Sequence, residues 1–194
     1  MPAPIITPRT TRLHLRQWLP QDRDAFAAMS ADPEVMRYFP APLTRAQSDA
    51  MADKCEALIA ERGWGMWAVE RLADQRFIGF VGLHIPQADL PFSPCVEIGW
   101  RLARDAWGHG LATEAAIAAL GVGFDRLQLP EIVAFTTQTN TPSQAVMQRL
   151  GMVRDAAADF DHPALPANHP LRAHQLYRLS AQKFQAARAQ SQYL

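Results

Sequence analysis

Apolar and polar residues alternate through Arg12-Leu13-His14-Leu15-Arg16-Gln17-Trp18, which predicts a first strand. Pro20 then opens a helix to about Met29, with Asp22 and Asp24 in its first turn, where the helix dipole favours acids. Asp32–Met36 reads as a short helical turn, and Pro40 and Pro42 break the chain. Thr44 caps a longer helix that runs to about Arg62 and stops at Gly63. Two strands follow, residues 64–70 and 77–85, joined by a hairpin at Ala73-Asp74-Gln75. After a proline-rich connection, residues 96–102 put Val96, Ile98, Trp100 and Leu102 on one side of a half-buried strand. From Leu111 the chain is alanine-rich and almost wholly apolar to Val122, which predicts a buried helix ending near Arg126.

Pro130 precedes a strand at Ile132–Thr136. Strand, crossover helix and strand at this spacing form a right-handed βαβ unit, so the two strands are expected to be parallel. Asn140-Thr141-Pro142-Ser143 starts another helix, which stops at Gly151. Strands are expected from Met152 and over His174–Leu179, with Asp159–Arg172 as a long loop and residues 181–194 as a polar helix or tail.

The loop between residue 102 and the alanine-rich helix changes this picture from architecture to chemistry. Gly108-His109-Gly110 precedes the first turn of the helix, whose N–H groups have no internal partners. Glycine removes the Cβ that would keep a ligand off the backbone, and the dipole adds partial positive charge. The combination seats an anion such as a diphosphate. By itself, Gly-x-Gly before a helix is equally a tight turn.

The 194 residues, 48% hydrophobic and 20% charged, suit one globular domain, 1–194, with a core at about 12–180 and tails at 1–11 and 181–194. Basic and acidic residues balance at 19 each, so no net positive field exists to hold nucleic acid or an anionic membrane. No run reaches signal-peptide or membrane-span length. Cys55 and Cys95 form no metal-spacing pair; both fall within predicted elements and read as reduced core thiols of a cytoplasmic protein. His84, His162, His169 and His174 match no common zinc spacing, so no metal is expected. The loop around His162 and His169 is a candidate acceptor wall, or simply solvated. Trp64 and Trp67 read as core aromatics, while Tyr38 and Phe39 stay undecided.

In this order, Glu97-Ile98-Gly99-Trp100, Trp107-Gly108-His109-Gly110-Leu111-Ala112-Thr113-Glu114-Ala115, Asn140-Thr141-Pro142-Ser143 and Leu150-Gly151-Met152 resemble the GNAT superfamily of acetyl-CoA-dependent N-acetyltransferases. Within it they are most similar to the branch holding the bacterial ribosomal-protein N-terminal acetyltransferases. The resemblance covers about Arg12 to Leu179. It implies an α/β fold with a mixed sheet of about six to seven strands, V-splayed between the residue-97 strand and its parallel neighbour, with flanking helices. It implies acetyl-CoA as co-substrate, with pantetheine pairing to the backbone of Trp100, Arg101 and Leu102. The diphosphate would sit on amides from Trp107 through Gly108, His109, Gly110, Leu111 and Ala112, with Thr113 nearby. Asn140 would bind pantetheine or support the site, and Ser143 would lie near the sulfur as the acid that protonates the departing thiolate. The partners implied are acetyl-CoA and a primary amine, either a protein N-terminus or a small molecule; a homodimer is the commonest oligomer by general frequency.

Direct attack on the thioester needs a neutral amine, and Glu97 is the candidate base, through a water. An ordinary Glu is too acidic for this, so its site would have to raise its pKa. The bland reading makes Glu97 a structural acid on a strand. A backbone N–H near Gly99 to Arg101 would hold the oxyanion. Gly99 in mid-strand suggests a bulge or a close backbone approach. Two departures from the family pattern stand out. Asp105 occupies a loop position where relatives carry Gln or Arg, next to Arg104, and Met147 replaces a tyrosine that acts as acid in many relatives. Both favour the alternative of a catalytically inert CoA-binding sensor.

Overall fold

The computed structural model describes residues 4–190. The expectations for residues 1–3 and 191–194 lie outside the described residues. Within them, eight strands and five α-helices form a mixed α/β fold with a mostly antiparallel open sheet. The chain divides into two units, one of residues up to Leu83 with Gly99–Ala119, the other of His84–Ile98 with Leu120 onward.

In the first unit, β1 (Leu13–Arg16) pairs antiparallel with β2 (Met66–Arg71), and β2 with β3 (Arg76–His84). The strand order here is β1-β2-β3-β4, β4 being Glu97–Leu102. Local signals explain the helices. In α1 (Asp22–Ala31), the Asp22 carboxylate accepts from the Leu19 N–H at 2.8 Å. In α2 (Arg45–Arg62), Thr44 and Gln47 form a reciprocal capping box, and Gly63 ends the helix at φ 81°. Trp18, Phe26, Phe77 and Phe80 build the core, with Trp18 and Phe26 edge-to-face at 4.9 Å. Buried Arg16 is matched by Asp22 at 2.7 and 2.9 Å and by Glu70 at 2.8 Å.

The register of β2 on β3 shifts between Val69 and Glu70, whose partners are Gly79 and Phe77, so Ile78 is an extra residue. Gly79 beside it has φ 140°, and a Cβ there would lie 2.2 Å from the Arg101 carbonyl oxygen. The bulge and close approach expected at Gly99 thus fall on Gly79. At Gly99 a Cβ would meet only the flexible Met66 Cε, at 3.3 Å.

In the second unit the order is β4-β5-β8-β6, with β7 also on β8. Here β5 is Glu131–Thr137, β6 Val153–Arg154, β7 Phe160–Asp161 and β8 Ala173–Ser180. β5 and β8 run antiparallel from Glu131 opposite Ser180 to Thr137 opposite His174. β4 and β5 are parallel, as expected, in a ladder one register position long, Glu97 opposite Val133. α3 (Leu111–Gly121) closes in a π turn over Val122–Arg126, and α4 (Thr141–Arg149) and α5 (Ala181–Ala189) complete the helices.

Three sequence expectations need correction. The sheet has eight strands rather than six to seven, because the supposed loop at 159–172 contains β7, which edge pairing with β8 holds despite its two-residue length. Cys95 lies before β4, half-buried, not inside an element, whereas Cys55 is buried in α2. Trp67 is fully buried, with its Nε1–H donated to the Ile6 carbonyl at 2.8 Å, but Trp64 is only half-buried.

Candidate active site

β4 leads through a 3₁₀ turn at Arg104–Ala106 into the glycine loop and α3. Gly108 and Gly110 both adopt left-handed backbone, φ 79° and 74°, the region that glycine enters without a Cβ penalty. A Cβ on Gly108 would meet nothing within 4 Å, so the loop leaves open space over its amides. The amide of Trp107 is not part of this cradle: it donates to the Arg104 carbonyl at 3.1 Å, which closes the 3₁₀ turn. The usable N–H groups therefore start at Gly108 and run through His109, Gly110, Leu111 and Ala112 to Thr113 in the first turn of α3. The Trp107 indole, exposed at its ring, donates Nε1–H to the Leu102 carbonyl at 2.8 Å.

The loop is pinned from a distance. Arg12 donates Nη1–H to the His109 carbonyl at 3.0 Å and Nε–H to Glu114 at 2.6 Å. Glu114 also accepts from the Thr10 hydroxyl at 2.6 Å and the Arg12 amide at 3.0 Å. Burial pushes the Glu114 carboxyl up, but the hydrogen bonds from Thr10 and Arg12 outweigh it and hold the group below its ordinary pKa. Sequence reasoning missed Glu114, Thr10 and Arg12 as supports; an acid in the first turn of a helix was the available signal. Asp105 does not turn to Arg104. Its carboxylate lies 3.6 Å from Arg76 of β3, in an ion pair that is exposed on both sides.

Backbone parity along β4 divides its residues. The Arg101 carbonyl faces Gly79 of β3, and the Ala103 N–H donates to the Ile78 carbonyl at 2.9 Å. Successive residues of a strand direct their backbone groups to opposite edges. Trp100 and Leu102 therefore present theirs away from β3, and Arg101 does not. Of the three backbones that the resemblance offers to pantetheine, that of Arg101 faces β3 and those of Trp100 and Leu102 face the other edge. Its side chain is 92% buried against the rings of Phe39 and Phe80, at 8% exposure.

In the second unit, Glu97 stands beside His84, Oε2 to Nε2 2.8 Å. Burial raises the Glu97 carboxyl above its ordinary pKa, with His84 pulling only partly the other way. The sequence left His84 unassigned; twelve intervening residues hid the pair. Asn140 caps α4, its Oδ1 accepting the Ser143 N–H at 3.3 Å while Nδ2 donates to the Thr136 hydroxyl at 2.9 Å. Ser143 is half-buried in the first turn of α4, and Met147 is fully buried. Burial pushes Cys55 up to about 11 and also raises Cys95, so neither is a thiolate near neutral pH. No group of three or more His, Cys, Asp or Glu that could hold a metal ion occurs among the described residues, and no helix there is long and apolar enough to cross a membrane.

The acetyltransferase (GNAT) domain family model matches residues 12–153. The chain is 29% identical over 148 residues to the uncharacterized N-acetyltransferase YoaA of Bacillus subtilis, covering 75% of this chain and 82% of that protein. It is 30% identical over 155 residues to the FsC-acetyl coenzyme A-N(2)-transacetylase of Aspergillus fumigatus, covering 75% and 64%. Among solved structures, the GNAT-family acetyltransferase from Bacillus anthracis matches with TM-score 0.76 at 25% identity, over 91% of this chain and 99% of that one. With a family match over residues 12–153, the chain belongs to the GNAT acetyltransferases and is an acyltransferase.

Proposed function

We propose that this protein transfers an acetyl group from acetyl-CoA to a primary amine by direct attack on the thioester. The observation that carries the proposal is the cradle at Gly108–Thr113, with two left-handed glycines, open space at Gly108, and Arg12 and Glu114 as supports. Such amides at a helix N-terminus suit the CoA diphosphate. The Aspergillus relative is itself named as an acetyl coenzyme A transacetylase, which supports the choice of donor. Pantetheine would pair with the β4 edge through the Trp100 carbonyl and the Leu102 N–H, the Leu102 carbonyl being taken by the Trp107 indole. We assign residues 1–194 as one N-acetyltransferase domain with its core at about 12–180, place it in the cytoplasm, and read the acceptor as a protein N-terminus or a small amine, after the ribosomal-protein branch that the motifs resemble.

The roles follow from the chemistry. An alkylammonium must lose a proton before it can attack, and Glu97, its pKa raised by burial, is suited to receive that proton through a water. His84 orients the carboxylate and is a second station for the proton. The Trp100 N–H, on the edge away from β3, is the donor for the oxyanion. Asn140 supports by capping α4, and the Ser143 hydroxyl supplies the proton to the departing thiolate, a role that buried Met147 cannot take.

Calorimetric titration with acetyl-CoA, followed by thiol release against amines and N-terminal peptides, tests the proposal. Binding with thiol release for an acceptor is expected. Absence of binding overturns the diphosphate assignment, and binding without release for every amine favours the inert CoA sensor.

A further inference from the structure

Two arginines of the first unit are buried to the same degree, and the fold treats them oppositely. Arg16 on β1 is 7% exposed and has Asp22 and Glu70 as ion-pair partners. Arg101 on β4 is 8% exposed, and neither its Nε nor its Nη1 has a hydrogen-bond partner among the described residues. Its guanidinium carbon lies 4.1 Å from the Phe39 ring centroid and 5.2 Å from that of Phe80. Aromatic faces offset part of the desolvation of a cation, but they accept no N–H hydrogen bonds in the guanidinium plane. The neighbouring Cys55 thiol is neutral, pushed up to about 11 by burial. Burial also lowers Arg101 to about 10, so it is still a cation at neutral pH.

A core position that needed only bulk would be filled more favourably by an apolar side chain, because an unpaired buried cation is costly. The missing partner is therefore an anion from outside the chain. Access is short, since Phe39, which covers the guanidinium, is itself 37% exposed and sits in the turn broken by Pro40 and Pro42. The planar fork with aromatic rings against it suits a planar acceptor with two oxygens. Gly99, two residues earlier on the same face of β4, adds no side chain there, and the nearest atom to a Cβ at that position would be the flexible Met66 Cε at 3.3 Å.

We propose that Arg101 is an acceptor-binding residue, and that the amine acetylated by this protein carries a carboxylate that docks on its guanidinium. This rests on the acetyl-transfer reading above, but the test separates the two. The probes are sodium acetate, acetamide and inorganic phosphate, each titrated into the protein while the Arg101 Nε–H resonance is followed by proton–nitrogen NMR. Acetate is expected to shift that resonance and raise Tm, acetamide to do neither, and phosphate to act more weakly than acetate. Arg101→Met should lose the acetate response and unfold at a higher temperature than wild type. Arg101→Lys, which keeps charge without the fork, should respond less than wild type and serves if the methionine variant does not fold. In turnover, amines offered as matched acid and carboxamide, such as 4-aminobutanoate and 4-aminobutanamide, should differ in KM by about 10- to 100-fold in favour of the acid, the span of one charge-assisted interaction. Arg101→Met should abolish that difference. No acetate response, an equal response in Arg101→Met, or a larger response to phosphate would overturn the carboxylate site. Thiol release with no discrimination between acid and amide would sink the Arg101 proposal and leave acetyl transfer standing. An acetate response without acetyl-CoA binding would sink the acetyl-CoA reading and, with it, the assignment of this site to the acceptor.

Discussion

Gly108 separates two explanations of the loop, because strain and ligand clash predict different readouts there. Alanine at this position adds a Cβ that meets nothing within 4 Å, so the free protein suffers no steric clash. What remains is the backbone: at φ 79°, a non-glycine residue costs about 1–2 kcal/mol. For a chain of this length, each kcal/mol moves Tm by about 2–4 °C, so Gly108→Ala should lower Tm by roughly 2–8 °C. The ligand-bound state loses more. A Cβ over the cradle holds the diphosphate off amides whose hydrogen bonds to a charged group are worth about 1.5–3 kcal/mol each. Losing one such bond weakens acetyl-CoA binding by about 10- to 150-fold. Gly108→Glu adds a carboxylate to the same open space, and its repulsion should abolish measurable binding while Tm falls about as in the alanine variant. Scanning fluorimetry gives the first quantity and calorimetry with acetyl-CoA the second. A fall in Tm with unchanged affinity in both variants would mean that the loop is only a tight turn, and the diphosphate assignment would be wrong.

Further expectations concern other residues. Asp22→Ala leaves buried Arg16 with Glu70 alone and strips the Leu19 N–H of its acceptor, so urea unfolding should show a loss of about 3–5 kcal/mol; a loss under 1 kcal/mol would make the network dispensable. Glu97→Gln should reduce kcat by about 10²- to 10⁴-fold. Because burial raises the Glu97 pKa, wild-type kcat/KM should climb with pH through a range above that of ordinary carboxylates, a limb that the variant lacks; an unchanged profile would make Glu97 structural. Glu114 behaves in the opposite sense: its folded pKa lies below the ordinary value, so its stabilising effect is present at neutral pH and fades as the pH falls through that lowered value. Tm measured against pH for wild type and Glu114→Gln should differ near neutrality and converge in acid. Ser143→Ala should lower kcat more than it weakens acetyl-CoA binding, as calorimetry and thiol release would show.

The features legible in the sequence are those written within a few residues. Thr44 with Gln47, Gly63 after α2, the 73–75 hairpin and Asn140 before Pro142 each solve a local backbone problem, so each could be read without knowing the fold. The parallel arrangement of β4 and β5 was legible for a different reason, since the handedness of crossovers leaves few alternatives. β7 was not, because two residues on an edge carry no periodicity and owe their conformation to β8. The supports of the glycine loop were hidden by distance: Thr10 and Arg12 reach Glu114 across about a hundred residues.

Arg101 shows how the direction of a backbone group depends on a neighbouring strand. The strand Glu97–Leu102 was recognisable, but which edge each backbone group faces depends on pairing with β3, not on β4 itself. That pairing turns on Gly79. Its φ of 140° and the 2.2 Å that would separate its Cβ from the Arg101 carbonyl mean that only a residue without a side chain lets the strands meet there. Once Gly79 has drawn the Arg101 carbonyl to β3, the strand's alternation leaves no freedom: Trp100 and Leu102 must face the other edge, and the backbone of Arg101 is withdrawn from any ligand there. The guanidinium is then the only part of Arg101 left to act, held against Phe39 and Phe80 with its Nε and Nη1 unpaired. One glycine on a neighbouring strand thus turns the Arg101 backbone toward β3, and only its side chain is left for the acceptor role proposed above.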